Sequence, residues 1–338
     1  MKSRKHSPVF VIGCHRSGTN LLYDTLLSAG GFALYRASSP VYSTLVPLAG
    51  SFAVARNREK LMKVWLRSKQ FRRSGLEPEE VCSKIQDQCH SGGDFLRIVL
   101  GEVARHNSAD RWAVYDPDNA LHIPTIKREI PDALFVHIVR DGRDTALSLS
   151  KMGGVRPLWW DRPRNLFAAA LNWQWTVRKA RHYGRSFPGD YIEIHYEDMV
   201  NAPKRALASL GAFLDHDLDY DRIKNTGWGR VSHPNTTWSE ESPAEFHPVN
   251  RWKNKLSQRE IAALEMLIGE CLEEFGYPLS TKDRPTKDHH LSQDLRLSLM
   301  RVLYPRYFEA KLSLKSNTPL GRFASTNPLE LTEIHGRL

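Results

Sequence analysis

Cysteine is scarce in this chain: Cys14, Cys82, Cys89 and Cys271 are the only four in 338 residues. No pair stands at CxxC spacing and no histidine follows at zinc-finger distance, which excludes a disulfide scaffold and a structural zinc module. Cys82 and Cys89 lie seven apart on a predicted helix, a packing spacing, and all four read as free thiols of a reducing compartment. Long apolar runs are missing too, and nothing approaches the roughly 18–20 residues of a membrane span. The basic start, MKSRKHSPVFVIGC, leads into only five apolar residues, Val9 to Gly13. A secretion signal needs about 7–15, so the expectation is a cytoplasmic chain in which the sequon Asn235-Thr236-Thr237 has no role. The 21 glycines and 19 prolines are too few for a collagen-like or low-complexity chain. Blocks of one charge are also absent. The 48 Lys and Arg against 38 Asp and Glu leave +10, which favours anionic partners. Because the basic residues are dispersed, the expectation is no nucleic-acid partner.

What is present is an alternation of strands and helices. Val9–Gly13, Phe32–Tyr35, Arg111–Tyr115, Ala133–Val139 and Tyr191–His195 read as strands. Helical spacing covers 18–28, 41–73, 77–106, Ala120–Ile130, Arg143–Ser150, 165–183, 203–214 and 257–275, and 225–250 reads as a long loop. Such alternation predicts an α/β fold with a mostly parallel sheet flanked by helices, its ligands outside the carboxyl ends of the strands. One domain is expected over 8–279, followed by a basic, partly helical tail over 280–338. The tail contains Pro285, Pro305, Pro319 and Pro328 as breakers, and the segment LRLSLMRVLYPRYFEAKLSLK. That segment fits a helix on the body or on a partner subunit, as in a homodimer. Contact with a membrane surface is the alternative.

The densest chemical signal is VFVIG-CHRSGTN-LLYDTLL, a strand, a loop and a helix. Gly13 and Gly18 have the spacing of a nucleoside-triphosphate loop, GxxxxGK[ST]. Thr19 replaces the lysine and Asn20 replaces the magnesium-holding hydroxyl residue. Loop and helix N–H groups can still cradle an anion, with Arg16, Ser17 and Thr19 adding donors. The pattern therefore predicts a phosphate site for a nucleotide that needs no metal.

HRSGTNLL resembles the 5′-phosphosulfate loop of the sulfotransferases that use 3′-phosphoadenosine-5′-phosphosulfate. In ALFVHIVRDGRDTALSLS, Arg140 ends a strand and Ser148 follows eight residues later, similar to that family's 3′-phosphate element. YIEIHYEDMVNAPKRALASLGAFL and NRWKNKLSQREIAALEMLIGECLEEFGY resemble two further family segments, so the likeness spans about residues 8–279. The details RSGT, VRDGR and RWK are closest to the bacterial and tyrosyl-protein-type branches. The resemblance implies sulfuryl transfer to a hydroxyl or amine of a small-molecule, carbohydrate or peptide acceptor. His15, Arg16, Ser17, Gly18, Thr19, Asn20, Arg140, Ser148, Tyr196, Arg251 and Lys253 would hold the nucleotide. Arg16 would also meet charge developing in the transition state, as fixed cations must where no magnesium serves. Glu197 and Asp198 read as strand-end and capping residues. Trp159, Trp160, Trp173 and Trp175 read as core or acceptor-pocket wall.

The proton acceptor is less defined. Tyrosyl-protein-type relatives carry a glutamate after the second strand, whereas FALYRASSPVYS holds no carboxylate. Position favours Asp118, with Asp116 two residues before it; intrinsic pKa favours His122; His15 is a further candidate. A nucleotide-binding member without catalysis, and a kinase or nucleotide hydrolase, are the alternatives.

Overall fold

The computed structural model describes residues 4–151, 165–226, 247–280 and 291–317. Four strands, β1 (Val9–Ile12), β2 (Ala113–Tyr115), β3 (Leu134–Val139) and β4 (Tyr191–His195), form one parallel sheet in the order β2-β1-β3-β4. The β1 register sets Phe10 against Val114 on one side and Phe135 on the other. The chain thus leaves β1 toward one edge and returns to its other side, which puts a switch in strand order at β1.

Helix α1 (Thr19–Ser28) follows β1 directly. A π-helical turn over Val41–Leu45 then opens a helical insertion made of α2 (Val46–Ala49), α3 (Ala55–Trp65), α4 (Lys69–Ser74), α5 (Pro78–Gln88) and α6 (Gly92–His106). A 3-10 turn over Pro117–Leu121 and α7 (Ile123–Glu129) lead into β3, and α8 (Gly142–Ser150) and α9 (Leu166–Gly184) lead into β4. Beyond the sheet come α10 (Tyr196–Asn201), α11 (Pro203–Leu214), α12 (Tyr220–Thr226), α13 (Trp252–Lys255), α14 (Gln258–Glu274) and α15 (Leu291–Asn317).

Period-two alternation splits the apolar residues of the sheet between its faces. Val9, Val11, Leu134, Val136 and Ile138 pack with Leu22, Leu26, Leu207 and Leu210 of α1 and α11. Phe10, Ile12, Val114 and Phe135 pack with the insertion, including Trp65, Phe95 and Val99. A third cluster joins Val139 to α8, α9, α14 and α15 through Trp173, Leu264, Ile268, Tyr304 and Phe308. Strands covered on both faces are expected to be almost wholly apolar, and VFVI and LFVHIV are.

Two expectations change. Phe32–Tyr35 is not a strand: Phe32 makes a single parallel bridge to Arg111. The neighbouring N–H groups go elsewhere, Leu34 to the Asn107 side chain at 2.7 Å and Tyr35 to the Ala33 carbonyl at 3.0 Å, so no ladder develops. Pro305 is no breaker either, since α15 runs through it. A helical proline forfeits one hydrogen bond, and the packing of Tyr304 and Phe308 on the body offsets that loss. Trp159, Trp160, most of the 225–250 loop, and Pro285, Pro319 and Pro328 lie outside the described residues.

Candidate functional site

The carboxyl ends of β1, β2 and β3 meet at one edge of the sheet, and the loop from Gly13 to Gly18 lies across it. Backbone geometry suits that loop to an anion. Gly18 has φ +102°, and a Cβ there would land in the Tyr196 ring; a Cβ on Gly13 would sit 2.5 Å from the Ile138 carbonyl oxygen. Arg16 holds a left-handed φ of +71°, which costs a non-glycine residue roughly 1–2 kcal/mol. The first turn of α1 begins at Thr19 and contains no acidic residue. Its leading N–H groups, from Thr19 and exposed Asn20 onward, have no intrahelical acceptor.

Two guanidinium groups converge beside the loop. Arg16 Nε donates to Ser148 Oγ at 3.1 Å, and Arg140 Nη1 donates to the Arg16 carbonyl at 3.2 Å. Arg140 Nη2 donates to the Pro248 carbonyl, and its guanidinium lies 4.5 Å above the Tyr196 ring. Neither arginine has a carboxylate at ion-pair distance among the described residues. Burial and the positive charge of Arg140 lower the pKa of Arg16. Arg140 Nε and Ser17 Oγ are buried without a hydrogen-bond partner. Paired cations and unpaired donors in one buried place are costly without an anion. These residues therefore fit a phosphorylated nucleotide on chemical grounds.

The acidic residues after Arg140 are engaged elsewhere, which explains why it stays unpaired. Arg143, 1% exposed, forks onto Asp141 at 3.0 and 2.7 Å and reaches Glu265 at 2.6 Å, with Trp252 stacked 3.8 Å away. Asp144 accepts the Trp252 N–H at 2.8 Å; burial pushes it up to about 6. Glu197 accepts the Asp141 N–H and the Tyr277 hydroxyl, both at 3.0 Å, and ties the end of β4 to that of β3. Asp198 pairs with Arg205 at the surface. The Arg143 clamp escaped the sequence reading; the second arginine of VRDGR was its signal.

A second cluster forms on the β2 side. His15 Nε2 lies 3.1 Å from Asp118 Oδ1, and the Asp118 N–H donates to Asp116 Oδ1 at 3.3 Å. Asp116 also accepts from Ser43 Oγ at 2.8 Å. Burial, and then the charge of Asp118, raise the Asp116 carboxyl pKa; the Ser43 hydrogen bond and His15 oppose them.

The structure thus gathers Arg16, Ser148, Arg140 and Tyr196 in one group, and His15, Asp116 and Asp118 in another, with Arg16 and His15 adjacent in the same loop. His122 stands at the N-terminal boundary of α7 without a side-chain capping bond and stacks on Tyr42 with ring centres 6.1 Å apart. Arg251 is half-buried, and its charge is felt by Tyr196. Lys253 is exposed and lies over the Trp252 ring at 5.5 Å. Tyr196 is buried, with the Arg140 guanidinium over its ring. Trp173 is core, its indole N–H donating to the Arg140 carbonyl at 3.1 Å, and Trp175 donates to Glu309 at 2.7 Å. Among the described residues no group of three or more His, Cys, Asp or Glu is placed to hold a metal ion, and no helix is long and apolar enough to cross a membrane.

Comparison with known proteins gives the family. A Caenorhabditis elegans protein named as a candidate protein-tyrosine sulfotransferase is 30% identical over 124 residues, 36% of this chain and 47% of that protein. A Caenorhabditis briggsae protein of the same description is 28% identical over 124 residues, 36% of this chain and 44% of its own length. The matches therefore span under half of each relative. The sulfotransferase domain of the Synechococcus PCC 7002 olefin synthase has a similar fold, with a TM-score of 0.54 at 19% identity over 82% of this chain and 98% of that domain. The model of the "Sulfotransferase family" matches residues 8–220, from before β1 to the start of α12, and with those strands and that loop the chain belongs to the sulfotransferase family.

Proposed function

We propose that the protein transfers the sulfuryl group of 3′-phosphoadenosine-5′-phosphosulfate to a hydroxyl or amine of a small-molecule, carbohydrate or peptide acceptor, without a metal. The observation that carries this reading is the meeting of Arg16 and Arg140, 124 residues apart in sequence, with Ser148, and with no carboxylate at ion-pair distance of either arginine among the described residues. In this reading the loop, Arg16, Ser17 and the α1 N-terminus hold the 5′-phosphosulfate, and Arg140 and Ser148 hold the 3′-phosphate. Tyr196 holds Arg140 in place, and Arg251 and Lys253 close the nucleotide side.

In the transfer step the acceptor atom bonds to sulfur while the bond from sulfur to the phosphate oxygen breaks. The electron pair leaves on 3′,5′-adenosine bisphosphate. Charge grows on the sulfuryl oxygens and the leaving phosphate, and fixed guanidinium and N–H groups stabilise it without reorganising. The acceptor's proton is taken at the β2 side, where His15, Asp116 and Asp118 meet, with His122 one turn beyond. The four free cysteines support a cytoplasmic setting. The motifs RSGT, VRDGR and RWK support the bacterial and tyrosyl-protein-type branches.

Thermal melting tests the nucleotide. A ligand that binds only the folded state stabilises it by mass action. We expect 3′,5′-adenosine bisphosphate to raise Tm more than magnesium-ATP, because only the former offers Arg140 a 3′-phosphate. An equal or larger shift with magnesium-ATP overturns the assignment.

A further inference from the structure

We propose that His15, inside the phosphate loop, takes the acceptor's proton on Nδ1, and that Asp118 positions it. This inference rests on the sulfuryl-transfer reading and names the base within that site. Its geometry starts from the 3.1 Å approach of His15 Nε2 to Asp118 Oδ1. An ionised carboxylate only accepts hydrogen bonds, so Nε2 carries the ring proton in this pair and Nδ1 presents a lone pair. The Asp118 carboxyl is itself fixed through its backbone, which caps onto buried Asp116, and Asp116 is held by Ser43. Side-chain exposure of 45% leaves the His15 ring accessible. Arg16, the next residue, reaches Ser148 across the loop. The imidazole is therefore built into the segment that would hold the transferred group, whereas Asp116 is 5% exposed and already bonded to Ser43.

The charged groups facing the ring are Asp118 and Asp116 from the turn after β2 and Arg16 from its own loop. Burial disfavours the charged ring and Arg16 opposes it as well. The charge and hydrogen bond of Asp118, with Asp116 behind, outweigh both and raise the pKa above the ordinary 6.5. A base accepts a proton only in its neutral form, so turnover rises with pH through the His15 midpoint. Removing the charge of Asp118 moves that midpoint down. In the step itself the acceptor oxygen bonds to sulfur, the bond to the 5′-phosphate oxygen breaks with its electron pair, and the acceptor's proton passes to Nδ1.

The test uses the full chain, with water as the acceptor probe: release of sulfate from 3′-phosphoadenosine-5′-phosphosulfate across pH. Binding of 3′,5′-adenosine bisphosphate is measured by calorimetry, and the His15 ring is followed by NMR titration. We expect His15→Gln to release sulfate about 10²-fold more slowly, the size of a lost general base, a loss much larger than any loss of bisphosphate affinity. We expect Asp118→Asn to bind normally and to shift both the acid limb of the rate profile and the ring titration to lower pH. A His15→Gln rate equal to wild type overturns the inference, as does a ring titration unmoved by Asp118→Asn. A wild type that fails to bind the bisphosphate overturns the sulfuryl-transfer reading, and the base assignment falls with it.

Discussion

At the residue scale, arginines in this chain are distinguished by what surrounds them. Arg143 and Arg140 are three residues apart, yet among the described residues one is forked onto carboxylates and the other hydrogen-bonds backbone carbonyls and lies over a ring. Arg140 is the one left with capacity for an anion. Arg140→Ala should weaken 3′,5′-adenosine bisphosphate binding by about 1.5–3 kcal/mol, the cost of a lost charge-assisted hydrogen bond, as read by calorimetry. Arg16→Ala should reduce turnover more than affinity, since its contact strengthens as charge develops; equal losses in both would place it in ground-state binding. Gly18 is a residue-scale constraint of another kind. Gly18→Ala forces a left-handed side chain into the Tyr196 ring, so denaturant unfolding should show a loss of about 1–3 kcal/mol.

Elements are joined by two polar clamps, one buried and one half-buried. Arg143 of α8 locks Asp141 at the end of β3 to Glu265 of α14, and Glu265 also accepts the Ser280 N–H at 3.0 Å. Arg143→Ala strands two buried carboxylates, and the expected cost is about 3–5 kcal/mol. Replacing Arg143, Asp141 and Glu265 together by apolar residues of matched volume should recover most of it in the same unfolding assay. The second clamp joins β4 to α9 and β3. Arg181 forks onto Glu193 at 3.0 and 2.5 Å, Tyr191 donates to Glu193 at 2.7 Å, and His137 Nδ1 lies 3.4 Å away. Burial raises the Glu193 pKa, but the hydrogen bonds of His137, Arg181 and Tyr191 outweigh it and hold the carboxyl below its ordinary 4.5. A depressed folded-state pKa gives stability that is complete above the unfolded value and lost as pH falls below it. Wild-type unfolding free energy should therefore drop below about pH 4.5, and Glu193→Gln should flatten that drop. An unchanged slope would show that other carboxylates set the acid limb.

On the scale of the whole molecule, the sheet edge organises the site and the third hydrophobic cluster supports it from behind. Trp173 lies in that cluster and hydrogen-bonds the Arg140 carbonyl, so the packing of α9 reaches Arg140 directly. Helix α15 belongs to the same cluster. Phe308 packs on Trp175 with ring centres 5.3 Å apart, and Glu309 pairs with Lys179. Phe308→Ala should cost about 3 kcal/mol of stability with little change in bisphosphate affinity, because its ring packs on Trp175, Tyr304 and Tyr307. The opposite face of α15 leaves Leu295, Leu299, Val302 and Leu303 about half exposed.

Local physics made most elements legible. Tyr191–His195 and 203–214 match the observed strand and helix, and the apolar run before Arg140 is the fully buried strand it resembles. The loop was legible because Gly13 and Gly18 satisfy backbone demands that no other residue meets cheaply. The sequence by itself therefore determined the alternation of strand and helix, the loop chemistry and the departures at Thr19 and Asn20. Tertiary structure alone decided which carboxylate meets which histidine or arginine. Asp141 and Asp144 stand closer to Arg140 in sequence than any other acid, yet the fold turns Asp141 to Arg143 and Asp144 to the Trp252 N–H. His15 and Asp118 are 103 residues apart and meet only because β1 and β2 are neighbours in a parallel sheet. Spacing along a chain encodes contacts within one element; contacts between strand ends follow from strand order, which no local pattern carries.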